Sequence, residues 1–177
     1  MTKKEYENQQ QKTIKVLENA GIILTEDEKK VVEIADFGLN DLDNIGLQII
    51  TYINTNRVCA KELVLFPNQT CPEHKHPDYG DKKGKEETFR CRHGLVYLYV
   101  EGMKTENIKA KIPETDITVY NEIILKPGMQ YTIMPNTKHW FQAGPDGAII
   151  SEFSTESTDH LDVFTDKRIV RETKQED

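Results

Sequence analysis

Hydrophobic residues fall into two regimes along the chain. From residue 3 to about residue 20 there is no Pro or Gly, and Tyr6, Ile14, Val16 and Leu17 recur at loose helical spacing until Gly21 stops the run. This predicts a helix packed on the outside of the molecule. Thr25-Glu-Asp-Glu28 has the form of a capping box and predicts a second, short helix. Beyond it the period changes. Residues 31–37, 47–53 and 57–66 are dense in β-branched and aromatic side chains and are parted by Gly, Asn and Asp, which predicts strands. Residues 95–100 alternate and end at Glu101-Gly102, and a polar stretch to about residue 116 predicts an exposed hairpin or excursion. Further strands are predicted at 117–120, 121–125, 130–134, 139–142 and 147–154, with turns at Pro127-Gly128, Pro135-Asn136 and Gly144-Pro-Asp-Gly147.

Many short strands with regular turn signals, and no helical period among them, predict an all-β antiparallel barrel or jelly roll. The 177 residues suit one domain: a helical segment over 1–29, a barrel over about 30–165, and a charged tail from 167 expected to be partly mobile, with Leu161, Val163 and Phe164 anchoring the segment before it.

A net charge of -7 is the wrong sign for coating phosphate backbones, so nucleic acid is not an expected partner. No run approaches the ~18 apolar residues of a membrane span, and the first residues lack the apolar core of a signal peptide. A soluble, cytoplasmic protein is expected, without a membrane partner. Cys59, Cys71 and Cys91 make an odd set with no C-x-x-C spacing, and read as buried free thiols. Cys91 shares the parity of Glu87 and is expected to face the interior.

Candidate chemistry gathers in one stretch. His74 and His76 are two apart, so on a strand both point to one face and can grip one ion. Glu87 follows across a turn-rich loop holding Pro77, Gly80 and Gly84, and His139 comes later in Pro135-Asn-Thr-Lys-His-Trp-Phe141. A lone histidine is more often a hydrogen-bonded or surface residue than a ligand. Here three of the chain's five histidines fit one site, and imidazole with carboxylate suits Mn, Fe, Co, Ni or Zn rather than Ca or Mg. His93 is the alternative fourth ligand if no bulge intervenes.

These motifs, His74-x-His76, Glu87-x6-Gly94, and Pro127-Gly128 followed by Pro135-x3-His139, resemble the cupin superfamily. The run Gly84-Lys-Glu-Glu-Thr-Phe-Arg-Cys-Arg92, with Val96-Tyr-Leu-Tyr-Val-Glu-Gly102 and Ser151-Glu-Phe-Ser-Thr155, is similar more narrowly to the D-lyxose isomerases, over about residues 59–164. The loop between His76 and Glu87 is longer than usual in cupins, and Thr137 stands near a common Gly position. The resemblance implies a cupin that interconverts D-lyxose with D-xylulose, and D-mannose with D-fructose, as a homodimer with one divalent metal, commonly manganese. It implies His74, His76, Glu87 and His139 as ligands and Lys85 and Glu152 as the acid/base pair.

The residues bear on that pair independently. Lys85 lies two before Glu87, so on a strand its ammonium projects beside the metal, though a solvated loop charge next to Lys82 and Lys83 is the plainer reading. Glu152 lies in an otherwise apolar strand, where burial would raise a carboxyl pKa toward that of a general base, with an outward-facing Glu the equal alternative. Glu86, Arg90 and Arg92 have the opposite parity and are expected outside. An iron dioxygenase, a phosphosugar isomerase using Lys82, Lys83 and Lys85, and a non-catalytic sugar-binding cupin remain as alternatives.

Overall fold

The computed structural model describes residues 1–176. The chain starts with helices α1 (Lys3–Asn19) and α2 (Glu26–Lys30), as expected. Each begins with a reciprocal capping box, Thr2 with Glu5 and Thr25 with Glu28, which satisfies N–H groups that have no partner inside the helix. α1 lays Ile14 and Leu17 against Ile34, Ile50, Val64 and Ile149 on the outside of the sheet.

Strands follow as β1 (Glu33–Ala35), β2 (Leu47–Asn54), β3 (Cys59–Leu65), β4 (Thr70–Lys75), β5 (Glu87–Val100), β6 (Asn121–Leu125), β7 (Gln130–Ile133), β8 (His139–Ser154) and β9 (Val163–Phe164). All their pairings are antiparallel. The start of β5 pairs with β7 and the end of β8 with β3, which carries β2 and then β1, while the end of β5 pairs with β6 and the start of β8 with β4, which carries β9. Two sheets thus share β5 and β8 and close over a core of Phe89, Leu98, Phe141, Leu63, Leu65 and Ile150. This is the predicted cupin jelly roll.

The turn expected at 144–147 does not reverse the chain. Pro145 and Asp146 bulge outward, exposed, and β8 resumes pairing at Ala148, while β5 shifts register opposite them near Gly94. A Cβ on Gly94 would lie 2.0 Å from the Gly147 carbonyl oxygen, so the strands touch where they bend. The bend matters for function. A straight strand at ~3.3 Å per residue would hold His139 and Glu152 about 40 Å apart, yet both reach the same interior.

Residues 117–120, expected as a strand, are irregular because their donors have another partner. Thr118 N, Val119 N and the Thr118 hydroxyl donate to the buried Glu73 carboxylate, as does the Thr165 hydroxyl. The polar excursion before them forms no hairpin. It folds back so that Ala110 and Val119 cover Trp140, stacked on Tyr99 at 3.9 Å. The C-terminal tail is tied down over the described residues: Val170 N donates to the Phe37 carbonyl, the Thr173 hydroxyl donates to Asp36, and Arg171 pairs with Glu33. Residue 177, the end of that tail, lies outside the described residues.

Candidate active site

A bulge between Cys71 and His74 resets the alternation of β4, so both face the interior, with His76 just past the strand on the same side. His139 opens β8 directly opposite His74. Glu87 opens β5 in the facing sheet. The loop between His76 and Glu87 fits its length around Gly84, whose added Cβ would meet the His76 carbonyl oxygen at 2.1 Å.

Donor atoms of His74, His76 and His139 lie within 4.8 Å of one another, all buried. Each Nδ1 is already engaged: His74 with the Pro72 carbonyl at 2.8 Å, His139 with the Thr137 carbonyl at 3.0 Å, and His76 with the Asp162 carboxylate at 2.5 Å. These acceptors hold the proton on Nδ1 and leave Nε2 for a metal. Glu87 Oε1 lies 3.1 Å from His76 Nε2 and 3.0 Å from His139 Nε2. The second contact is close but misdirected, so His139 Nε2 is a buried polar atom without a hydrogen bond. A divalent cation there would supply the missing partner, and three imidazoles beside a carboxylate are a donor set that suits one.

Electrostatics fit the same picture. Burial, with the neighbouring His139 and His76 rings, holds His74 well below its ordinary pKa and keeps it neutral. Burial and the Lys85 ammonium push His76 down, but the Glu87 and Asp162 carboxylates more than reverse this and raise it to about 9. His76 thus carries a proton that a metal must displace. Burial alone would raise Glu87, yet Lys85 and His76 hold it well below the carboxylate range.

Lys85 is buried, while Lys82, Lys83 and Glu86 are exposed. Its ammonium lies 2.8 Å from Glu87 Oε2, 3.1 Å from Glu152 Oε1 and 3.4 Å from Asp159 Oδ1. Burial opposes its charge, but those carboxylates raise its pKa well above the lysine range. Glu152 is buried on β8, but its surroundings are not apolar: Lys61 Nζ lies 3.8 Å from the same Oε1 that Lys85 meets. His93 is exposed because β5 shifts register between Cys91 and His93, which removes it as a ligand. Arg92 is exposed and Arg90 pairs outward with Gln130. All three cysteines are buried and free, and Cys71 rather than Cys91 lines the site.

Four charged residues here escaped the sequence reasoning: Lys61, Asp159, Asp162 and Arg171. Lys61 left a signal, since it shares the inward parity of Cys59, Leu63 and Leu65 in an otherwise apolar run. The others come from a charged segment with no period to read.

Fold and cluster define a cupin whose three buried histidines could hold a divalent metal. A sequence model of the D-lyxose isomerase family matches residues 6–177. The D-lyxose/D-mannose isomerase of Thermosediminibacter oceani is 60% identical, over 95% of this chain and 94% of that protein. The D-lyxose ketol-isomerase of a Thermofilum species is 54% identical, over 97% of each chain. The chain belongs to the D-lyxose isomerase family. Among solved structures, the L-ribose isomerase of Cellulomonas parahominis superposes with a TM-score of 0.73 at 13% identity, over 96% of this chain and 94% of that one, a likeness of fold.

Proposed function

We propose that this protein is a D-lyxose ketol-isomerase that interconverts free D-lyxose and D-xylulose, and D-mannose and D-fructose. The observation that carries the reading is a buried ammonium–carboxylate pair, Lys85 with Glu152, set against Glu87 at the three-histidine cluster. In this reading His74, His76, Glu87 and His139 hold one metal, a donor set that suits Mn, Fe, Co, Ni or Zn, of which we favour manganese as the metal that the likeness to the D-lyxose isomerases implies. Held there, a metal would supply a Lewis acid that stabilises negative charge developing on the sugar's oxygens. Glu152 takes the C2 proton of the aldose, leaving a cis-enediolate, and returns that proton to C1 as a second proton passes from O2 to O1. Lys85 faces the negative charge that develops on those oxygens. Phe37, Phe89, Phe141 and Phe164 wall the space and exclude water.

The alternatives have less support. Oxygen activation has no use for Lys85 and Glu152. A phosphate would need free cations, but Lys82 pairs with Glu156 and Lys83 with Asp78, both in solvent. Metal-reconstituted protein is expected to form D-xylulose from D-lyxose under anaerobic conditions, measured by ketose assay. Failure with D-lyxose, D-mannose and a panel of other free aldoses would overturn the reading.

Two companion proposals concern setting. Three unpaired thiols suit a reducing cytoplasm, and no helix among the described residues is long and apolar enough to cross a membrane. Ile53, Ala60 and Phe153 stand side by side on the outer face of β2, β3 and β8, with Ile53 46% and Phe153 50% exposed and Val58 adjacent at 52%. A second copy across this face gives the homodimer. Sedimentation equilibrium should show a dimer that Phe153→Arg converts to monomer, and a monomeric parent protein would refute it.

A further inference from the structure

The three-histidine cluster lies beside a narrow space among buried side chains. The cavity beside it gives water centres about 30 Å³, room for about two waters at ~10–15 Å³ each. A pentose displaces roughly five waters at ~30 Å³ of liquid volume each, so it does not fit. An outer hollow gives water centres about 240 Å³. The two share one wall: Lys61, Asp159 and Arg171 line both.

Asp159 is the centre of that wall. Its carboxylate accepts from Lys61 Nζ at 2.6 Å and from the Ser157 hydroxyl, and lies 3.4 Å from Lys85 Nζ and from Arg171 Nη2. It is carried by a 3₁₀ turn of three residues, Asp159–Leu161, with no side-chain cap. The turn is moored through Asn54, whose amide exchanges two hydrogen bonds with the Ser157 backbone, each 3.0 Å.

We infer that the outer hollow is a sugar-binding vestibule, that the aldose reaches the metal through the Asp159 wall, and that the carbons beyond C3 rest where wall and vestibule meet. This rests on the isomerase reading above. The reacting carbons must lie against the contacting pair Lys85 and Glu152. Away from the histidines the interior is walled by Phe37, Leu47, Ile49, Leu63 and Phe89, whereas toward the vestibule Asp159 touches Lys85, and Lys61 lies 3.8 Å from Glu152. The vestibule is lined by Glu33, Thr51, Asn54, Ser157, His160 and Glu172. With Lys61, Asp159 and Arg171, such a lining offers hydroxyl, amide and charged groups of both signs to the hydroxyls of a neutral polyol, and no large apolar side chain for an apolar ligand to bury against. Sugar hydroxyls can take over the contacts that Lys61, Arg171 and Asp159 make with each other, so opening the wall leaves no buried charge unpaired. The extra carbon of a hexose then falls in the vestibule, which reads chain length.

The buried native cysteines permit a selective test. Thr51→Cys in the metal-loaded enzyme is labelled with a bulky maleimide, and Ile23→Cys, at a site 90% exposed between the helices, is labelled as control. Labelling T51C should lower kcat/KM for D-lyxose at least tenfold against the same variant unlabelled. It should also slow stripping of the metal by pyridine-2,6-dicarboxylate at least tenfold, while labelled I23C shows neither change. A labelled T51C within twofold of its unlabelled form in both measurements overturns the inference. Slowed stripping in a protein that turns over no aldose upholds the access route and defeats the isomerase reading instead. Thr51→Phe should raise KM for D-mannose at least threefold more than for D-lyxose, and equal shifts would refute the reading of chain length.

Discussion

Glu152→Gln is expected to lower kcat by about 10² or more, the usual contribution of a general base, with KM and metal content nearly unchanged. The substitution keeps size and shape but removes the basicity that carries the proton from C2 to C1. Its environment makes the test sharp, because Glu152 touches Lys85 and approaches Lys61 while lying outside the imidazole cluster. Lys85→Met should also lower kcat in preference to KM. That variant carries a second cost, since it leaves Glu87, Glu152 and Asp159 facing one another in a buried space, and breaking such a cluster costs about 3–5 kcal/mol. Circular dichroism and metal content must therefore accompany its kinetics. Turnover in heavy water adds an independent measurement: deuterium at the receiving carbon marks a base that exchanges with solvent. Near-normal kcat in E152Q together with no deuterium uptake would sink both the base and the enediolate route.

The sequence carried the fold wherever local pattern and tertiary demand agreed. Alternation paired His74 with His76 and Lys85 with Glu87, and all four are buried in one interior, although His76 and Lys85 lie just outside β4 and β5. Parity failed where strands bulge. Cys71 and His74 face the same way only because β4 is irregular between them, and His93 turns outward for the same kind of reason in β5. Turn chemistry misled at Gly144-Pro-Asp-Gly147, since glycines that permit a reversal also permit two strands to touch and bend. The other half of the site was hidden for a different reason. Asp159, Asp162 and Arg171 sit in a charged segment whose composition reads as solvated, and only long-range pairing with Lys61, Lys85, His76 and Glu33 reveals their place.

Chelation is expected to abolish turnover completely while leaving the β-type circular dichroism intact. The core of Phe89, Leu98 and Phe141 does not depend on an ion, unlike a zinc finger that folds only around its metal. The empty site is also left in charge balance. Without metal, His76 holds its proton between Glu87 and Asp162, and Lys85 holds the other Glu87 oxygen, so no carboxylate there is stranded. Ligand variants should grade the same loss. His139→Ala should weaken metal binding at least tenfold and largely abolish turnover, because it deletes the donor that has no other partner. Asp162→Asn leaves every donor in place but loosens the ring of His76, and should weaken the metal by about 10–100-fold, as is usual for a carboxylate that orients a ligating histidine. Metal analysis after dialysis against graded chelator reads both variants. Normal metal content in H139A would remove it from the ligand set, and collapse of the strand signal on chelation would show that the barrel needs the ion.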